Sequence, residues 1–283
     1  MSNQSRRDFF KTAGVVAGGL TGLKAKPGKA VGPKNILDED RMGVLVDSTV
    51  CIGCRKCEYA CKVNHDLPSE PIDTYSDRSV FSEKRRPDAG ALTIVNEYEG
   101  DDKPVNVKFQ CMHCDHPPCV SACIVGAFTK RKDGSIVYDV DICIGCRYCM
   151  VACPFQVPAY EYFDPLTPEV RKCDFCAERT DEGKLPACVE ICPVEALTYG
   201  KRFELLQTAR ERIRKHPDRY VDHILGENEV GGTSWLYLAP KEFTEVGFPK
   251  LNNKPAPGVS ESIQHGIFAY FVPPISLFAL LGG

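Results

Sequence analysis

An excess of basic residues, which a phosphate backbone would demand, is missing from this chain. Its 283 residues set 35 Lys and Arg against 38 Asp and Glu, a formal charge of −3. Nucleic acid is thereby excluded as a partner. No Cys-x-x-Cys pair is followed by histidine, which excludes covalently attached haem. No Ser-His-acid set, phosphate-binding glycine loop or paired-carboxylate signature stands out either. Nothing marks the chain as carrying out bond chemistry of its own, and it reads as non-catalytic. A disulfide framework fits poorly as well, because the cysteines are often only two to four residues apart.

What the chain does have is 16 cysteines in four groups of four, with none left over. The groups are Cys51, Cys54, Cys57, Cys61; Cys111, Cys114, Cys119, Cys123; Cys143, Cys146, Cys149, Cys153; and Cys173, Cys176, Cys188, Cys192. The first and third repeat almost letter for letter: Cys51-Ile52-Gly53-Cys54-Arg55 matches Cys143-Ile144-Gly145-Cys146-Arg147, and each continues to an Ala-Cys pair. This is an internal duplication. The third group, closed by Cys153-Pro154, has the bacterial ferredoxin spacing, in which three cysteines serve one iron-sulfur cluster and the fourth reaches another. Such a motif needs a partner, so four groups imply two paired domains. The second group widens one gap to four residues and the fourth group widens one to eleven. Four-cysteine zinc sites are the alternative, but they use two separated pairs rather than a triple spacing with an extra cysteine. His113 lies inside the second group, whose four cysteine positions are already filled, so it is expected beside a site rather than as a ligand. A [4Fe-4S] core with four thiolates carries about −2, so four such centres add roughly −8. Arg55, Lys56, Lys62, Arg147, Arg171, Lys172 and Arg179 stand next to the cysteines as candidate counter-charges.

Between the groups the pattern is one of short strands and turns. Val44-Leu45-Val46 and Ile136-Val137-Tyr138 precede the two duplicated motifs as strands. A hairpin is expected over Thr129 to Tyr138, around Asp133-Gly134. A second pairs Leu92-Thr93-Ile94-Val95 with the alternating Val105, Val107 and Phe109, across a turn from Gly100 to Pro104. Leu205, Leu206, Ala209 and Ile213 have helical spacing, which predicts an amphipathic surface helix over Glu204 to Lys215. After Pro217 the chain reads as irregular.

The two ends read as addresses. Arg6-Arg7 precede a weakly apolar run from Ala13 to Leu23 and a small-residue stretch ending at Ala30, the order of a twin-arginine export signal. Export of an already folded protein suits clusters acquired in the cytoplasm. The last eighteen residues, from Gly266 to Gly283, are apolar apart from Tyr270 and Ser276 and are broken by Pro273-Pro274. A kinked span, a segment lying against the bilayer or a membrane subunit, and a buried core segment all fit, and membrane association is the reading preferred.

With Gln110-Cys111-Met112-His113-Cys114, the run from Cys146 to Phe155 and Leu185-Pro186-Ala187-Cys188-Val189-Glu190-Ile191-Cys192-Pro193, the chain resembles the four-cluster iron-sulfur (ferredoxin-like) electron-transfer subunits of respiratory oxidoreductases. Its leader and its tail around Ser262-Ile263-Gln264-His265 most resemble the iron-sulfur subunits of membrane-bound nickel-iron hydrogenases of the hydrogenase 2 type. The resemblance implies an α+β fold: two bacterial-ferredoxin-like domains with loop and hairpin insertions, plus a C-terminal membrane-associated segment. The expected layout is a signal over 1–30, the first motif and hairpin over 31–110, a central domain of motifs two and three over 111–160, and motif four over 161–200. A C-terminal extension over 201–265 and the apolar segment over 266–283 follow.

The resemblance also implies four [4Fe-4S] clusters with motif one paired to four and two to three. The ligand sets would be Cys51, Cys54, Cys57 with Cys192; Cys173, Cys176, Cys188 with Cys61; Cys111, Cys114, Cys119 with Cys153; and Cys143, Cys146, Cys149 with Cys123. Cys61 and Cys123 depart from the family pattern in being followed by Lys62 and Ile124 rather than proline. The implied partners are a catalytic redox subunit and a quinone-reactive integral membrane subunit, on the periplasmic side of the cytoplasmic membrane. The catalytic partner would be a nickel-iron hydrogenase or, as the alternative, a molybdopterin or multihaem cytochrome subunit. A soluble polyferredoxin is the competing class, against which leader and tail argue.

Overall fold

The first strand, β1 (Met42–Asp47), is apolar over most of its length, as expected for a strand covered on both faces. The computed structural model describes residues 41–258, so the leader and the apolar tail lie outside the described residues. β1 is the middle strand of a three-stranded sheet. It pairs antiparallel with β8 (Leu197–Lys201), Leu45 opposite Thr198, and parallel with β9 (Trp235–Leu238), Leu45 opposite Leu236. Side chains alternate across this sheet. Leu45, Leu236 and Leu238 face one way and pack on Leu205, Leu206, Ala209 and Ile213 of helix α6 (Arg202–Lys215). Val44, Val46, Trp235 and Tyr237 face the other way, toward Cys114, Cys188 and Phe175. The predicted amphipathic helix is thus present, and each buried leucine or isoleucine on its inner face contributes about 1.5–3 kcal/mol.

β9 corrects the reading of the chain after Pro217 as irregular. Its four residues are all buried, so they show no alternation by which a strand could be recognised. Position, rather than pattern, makes it a strand: it lies parallel to the buried β1.

Both expected hairpins form. β2 (Ile94–Tyr98) pairs with β3 (Val105–Phe109), and β4 (Phe128–Lys130) with β5 (Ile136–Tyr138). A short pair, β6 (Ala159–Tyr160) with β7 (Val170–Arg171), follows. The remaining helices are short and follow cysteine loops: α1 (Lys56–Asn64), α2 (Pro118–Ser121), α3 (Tyr148–Ala152), α4 (Ala177–Asp181) and α5 (Ala187–Glu190). α1 packs against α5, which joins motif one to motif four, and α2 packs against α3, which joins motif two to motif three. Among the described residues no helix is long and apolar enough to cross a membrane.

The first hairpin is a support for motif one. Glu58 of α1 is buried and accepts from the Val95 N–H at 2.6 Å, from Arg55 at 3.1 Å and from Arg85 at 2.6 Å. Asn106 Nδ2 donates to the Cys51 carbonyl at 3.2 Å. Alternation along β3 assigns Asn106 and Lys108 to water. Both are buried instead, because the cysteine loop covers that face.

Candidate iron-sulfur centres

The third position of the first Cys-x-x-Cys loop in each motif takes a left-handed backbone: Gly53 at φ 68°, His113 at 49°, Gly145 at 67° and Phe175 at 71°. L side chains avoid this region, which is why glycine fills it in the duplicated motifs. A Cβ on Gly53 would stand 2.3 Å from Asn106 Oδ1. The duplication extends one residue further, since Arg55 and Arg147 sit at φ 57° and 58° just before their helices. The turn aims backbone N–H groups at sulfur. Gly145 donates to Cys143 Sγ at 3.4 Å and Phe175 to Cys173 Sγ at 3.4 Å; outside these turns, Ala127 donates to Cys123 Sγ at 3.2 Å.

In motifs two and four the left-handed position carries rings, and these meet: His113 and Phe175 have centroids 4.9 Å apart. His113 is fully buried, and its Nδ1 accepts from the Ile136 N–H at 2.9 Å. Burial holds its imidazole well below the ordinary histidine range, so it packs there as a neutral ring. Phe175 continues edge-on to Trp235 at 5.9 Å. This aromatic wedge, absent from sequence reasoning, had one visible signal: a ring standing where the duplicated motifs have glycine.

The cysteines lie close together, within the expected sets and across them. In set I, Cys51, Cys54, Cys57 and Cys192 line one cavity with Lys108 and Arg55. Burial pushes the Cys51 thiol up to about 11, against the pull of the Gly53 N–H, with Cys192 and Cys54 adding to the rise. In set II, burial and then Cys188 and Cys176 raise the Cys61 thiol, while burial and then Cys61 raise Cys173. In set III, Cys114 is raised by burial and by Cys153, Cys111 and Cys119. In set IV, burial pushes Cys149 up to about 11, with Cys146, Cys123 and Cys143 as the neighbouring sulfurs. Each set also touches the next. Cys57 feels Cys188 across sets I and II, Cys173 feels Cys111 across II and III, and Cys119 feels Cys149 across III and IV. Cys111 and Cys173 pack together around Val157.

Donor chemistry tests which centre the sets fit. Among the described residues His65, Asp174 and Cys176 bring three ligand atoms within 4.8 Å of one another. In sets I to IV the donor set of each is thiol alone, the ligand chemistry of an iron-sulfur centre. N–H groups directed at sulfur fit such a centre too.

Of the seven cations expected to offset cluster charge, three answer carboxylates. Arg55 pairs with Glu58, Arg171 with Glu161 and Glu169, and Arg179 with Glu190. Lys172 is buried and donates to the carbonyls of Ile136 and Cys173 at 2.5 and 2.9 Å.

All-cysteine sets paired across two helix-and-strand units define a ferredoxin-type iron-sulfur protein. Known proteins agree. A 4Fe-4S dicluster domain matches residues 50–127, and a second 4Fe-4S dicluster domain matches residues 105–202. A protein of Nitratidesulfovibrio vulgaris (Hildenborough) is 49% identical over 258 residues, covering 89% of this chain and 69% of that one. The hydrogenase-2 operon protein HybA of Escherichia coli O157:H7 is 34% identical over 97% of this chain and 93% of its own. The B subunit of anaerobic dimethyl sulfoxide reductase from Escherichia coli K12 is 38% identical over 71% of this chain and 97% of its own. The chain therefore belongs to the family of iron-sulfur electron-transfer subunits built on 4Fe-4S dicluster domains.

Proposed function

We propose that this chain relays single electrons through four [4Fe-4S] clusters, between a catalytic redox subunit and a quinone-reactive membrane subunit. Sets I to IV are the four ligand sets, so motifs one and four make one ferredoxin domain and motifs two and three the other. Each bound cluster supplies one-electron oxidation and reduction. The chain's own residues hold the sulfurs, direct N–H groups at them, and keep water from sets II and III. The observation that carries this reading is the succession of cysteines packed in shared clusters, Cys57 with Cys188, Cys173 with Cys111, and Cys119 with Cys149.

The leader and the apolar tail support export by the twin-arginine route to the periplasmic side of the cytoplasmic membrane, with 266–283 as the membrane-associated segment. Similarity to the hydrogenase-2 operon protein over nearly the full length of both proteins favours a nickel-iron hydrogenase as the catalytic partner. Similarity to the dimethyl sulfoxide reductase B subunit keeps a molybdopterin subunit as the second reading. Anaerobic purification of the full chain tests the cofactor: about sixteen irons, four per centre, are expected. Zinc in their place would overturn it. Identification of the redox subunit that purifies with the chain decides between the two partners.

A further inference from the structure

Lys108 is 3% exposed, yet it has no carboxylate partner among the described residues. Burying an ammonium group without a compensating charge is costly. Its polar contacts are neutral: Nζ donates to Gln110 Oε1 at 2.9 Å and stands 4.5 Å from the centre of the Trp235 ring. The bracket is itself fixed, since Gln110 Nε2 donates to the Tyr237 hydroxyl at 2.6 Å, and that hydroxyl donates to the Lys108 carbonyl at 2.8 Å. Arg55, which lines the same cavity, differs in being tied to the Glu58 carboxylate.

What Lys108 faces is sulfur. It lines the cavity of Cys51, Cys54, Cys57 and Cys192. Its charge also favours the thiolate of Cys57 in set I and of Cys61, Cys173 and Cys176 in set II. One ammonium thus stands between two sets, held by partners that leave its charge uncancelled.

We propose that Lys108 is a fixed buried cation shared by sets I and II, which raises the reduction potentials of both centres they hold. The inference rests on the ligand sets given above. An electron that passes from a neighbouring centre leaves that centre oxidised by one and adds one negative charge to the acceptor. Lys108 stabilises the added charge in a surrounding of low dielectric. The neutral Gln110–Tyr237–Trp235 bracket orients the ammonium without answering it.

Redox titration of the full, cluster-loaded chain, followed by electron paramagnetic resonance, tests this. Lys108→Met removes the charge, Gln110→Glu cancels it while keeping the lysine, and Lys108→Arg retains it. In the first two variants, at a fixed potential, the reduced-to-oxidised ratio of the set I and set II centres should fall at least tenfold. For a one-electron couple that is 59 mV. The other two centres, and all centres of Lys108→Arg, should keep their potentials. The signal of set I is identified by its loss in Cys192→Ala. Unmoved potentials in Lys108→Met or Gln110→Glu with full iron content would overturn the proposal. Loss of the centres from both variants would overturn it too, assigning Lys108 to assembly rather than to tuning. Failure of the underlying ligand sets is separately visible, because the unsubstituted chain would then lack four centres or a centre would fail to disappear in Cys192→Ala.

Discussion

Motifs one and three share their letters and their backbone but not their surroundings. Gly53 and Gly145 have φ of 68° and 67°, and Arg55 and Arg147 have 57° and 58°. Around motif one the chain adds the β2–β3 hairpin, with Asn106 on the loop, Glu58 tied to Arg85 and Lys108 beneath the sulfurs. Around motif three it adds only the short β4–β5 and β6–β7 pairs. Its helix α3 has five residues where α1 has nine, Cys146 is exposed, and Val151 and Ile144 stand open to solvent. The loop is therefore a transferable cysteine holder. What differs between two copies, access and local charge, comes from segments distant in sequence.

The largest effect that sharpens this contrast is loss of a centre. Cys192→Ala should remove the set I centre and about four irons. Cys123→Ala should remove the set IV centre and leave set I intact. Iron analysis with paramagnetic resonance reads both, and a set I signal that survives Cys192→Ala would break the crossed pairing. Thermal unfolding should separate the two variants, because set I is built against the central sheet and the hairpin, whereas set IV has a thinner surround.

Glu58→Ala comes next. It strips a buried carboxylate from Arg55, Arg85 and the Val95 N–H at once. Removing one member of a buried ion pair costs about 3–5 kcal/mol. Denaturant unfolding should show a loss of that size, and a neutral outcome would mean that the hairpin does not brace motif one.

Replacing each glycine by alanine compares the loops themselves. Both carry the left-handed penalty of roughly 1–2 kcal/mol. Gly53→Ala should cost more than Gly145→Ala, because its Cβ meets Asn106 Oδ1 at 2.3 Å, while that of Gly145 meets the Tyr160 hydroxyl at 3.1 Å. Equal losses would remove the steric difference between the copies.

The same contrast explains what was legible in the sequence. Cysteine spacing, glycine turns and two-residue alternation are local signals, and they located all four motifs, both hairpins and α6. Trp235 to Leu238 was not legible, because a strand buried on both faces does not alternate. Lys108 was hidden for the opposite reason: strand β3 does alternate, and alternation places lysine in water. The loop of motif one covers that face from some fifty residues upstream, as the bond from Asn106 to Cys51 shows. Long-range covering of a polar face leaves no periodic trace.

The smallest expected change in stability lies at the open copy. Val151 is 81% exposed, and Ile124 and Ile144 are 70% and 60% exposed, all beside the cysteines of set IV. If the redox partner docks beside set IV, these are the side chains it would cover. Val151→Glu leaves no cavity and breaks no hydrogen bond, so unfolding should move by no more than about 0.5 kcal/mol. Its effect should fall on exchange with the partner instead: a carboxylate buried without a counter-charge weakens docking. Stopped-flow reduction of the assembled complex should therefore slow, while the isolated chain keeps its four centres and their potentials. Ile52 is 51% exposed at the equivalent place of Ile144 and provides the control at the braced copy. If Ile52→Glu slows exchange and Val151→Glu does not, the electron leaves through set I, and the closed and open ends exchange roles.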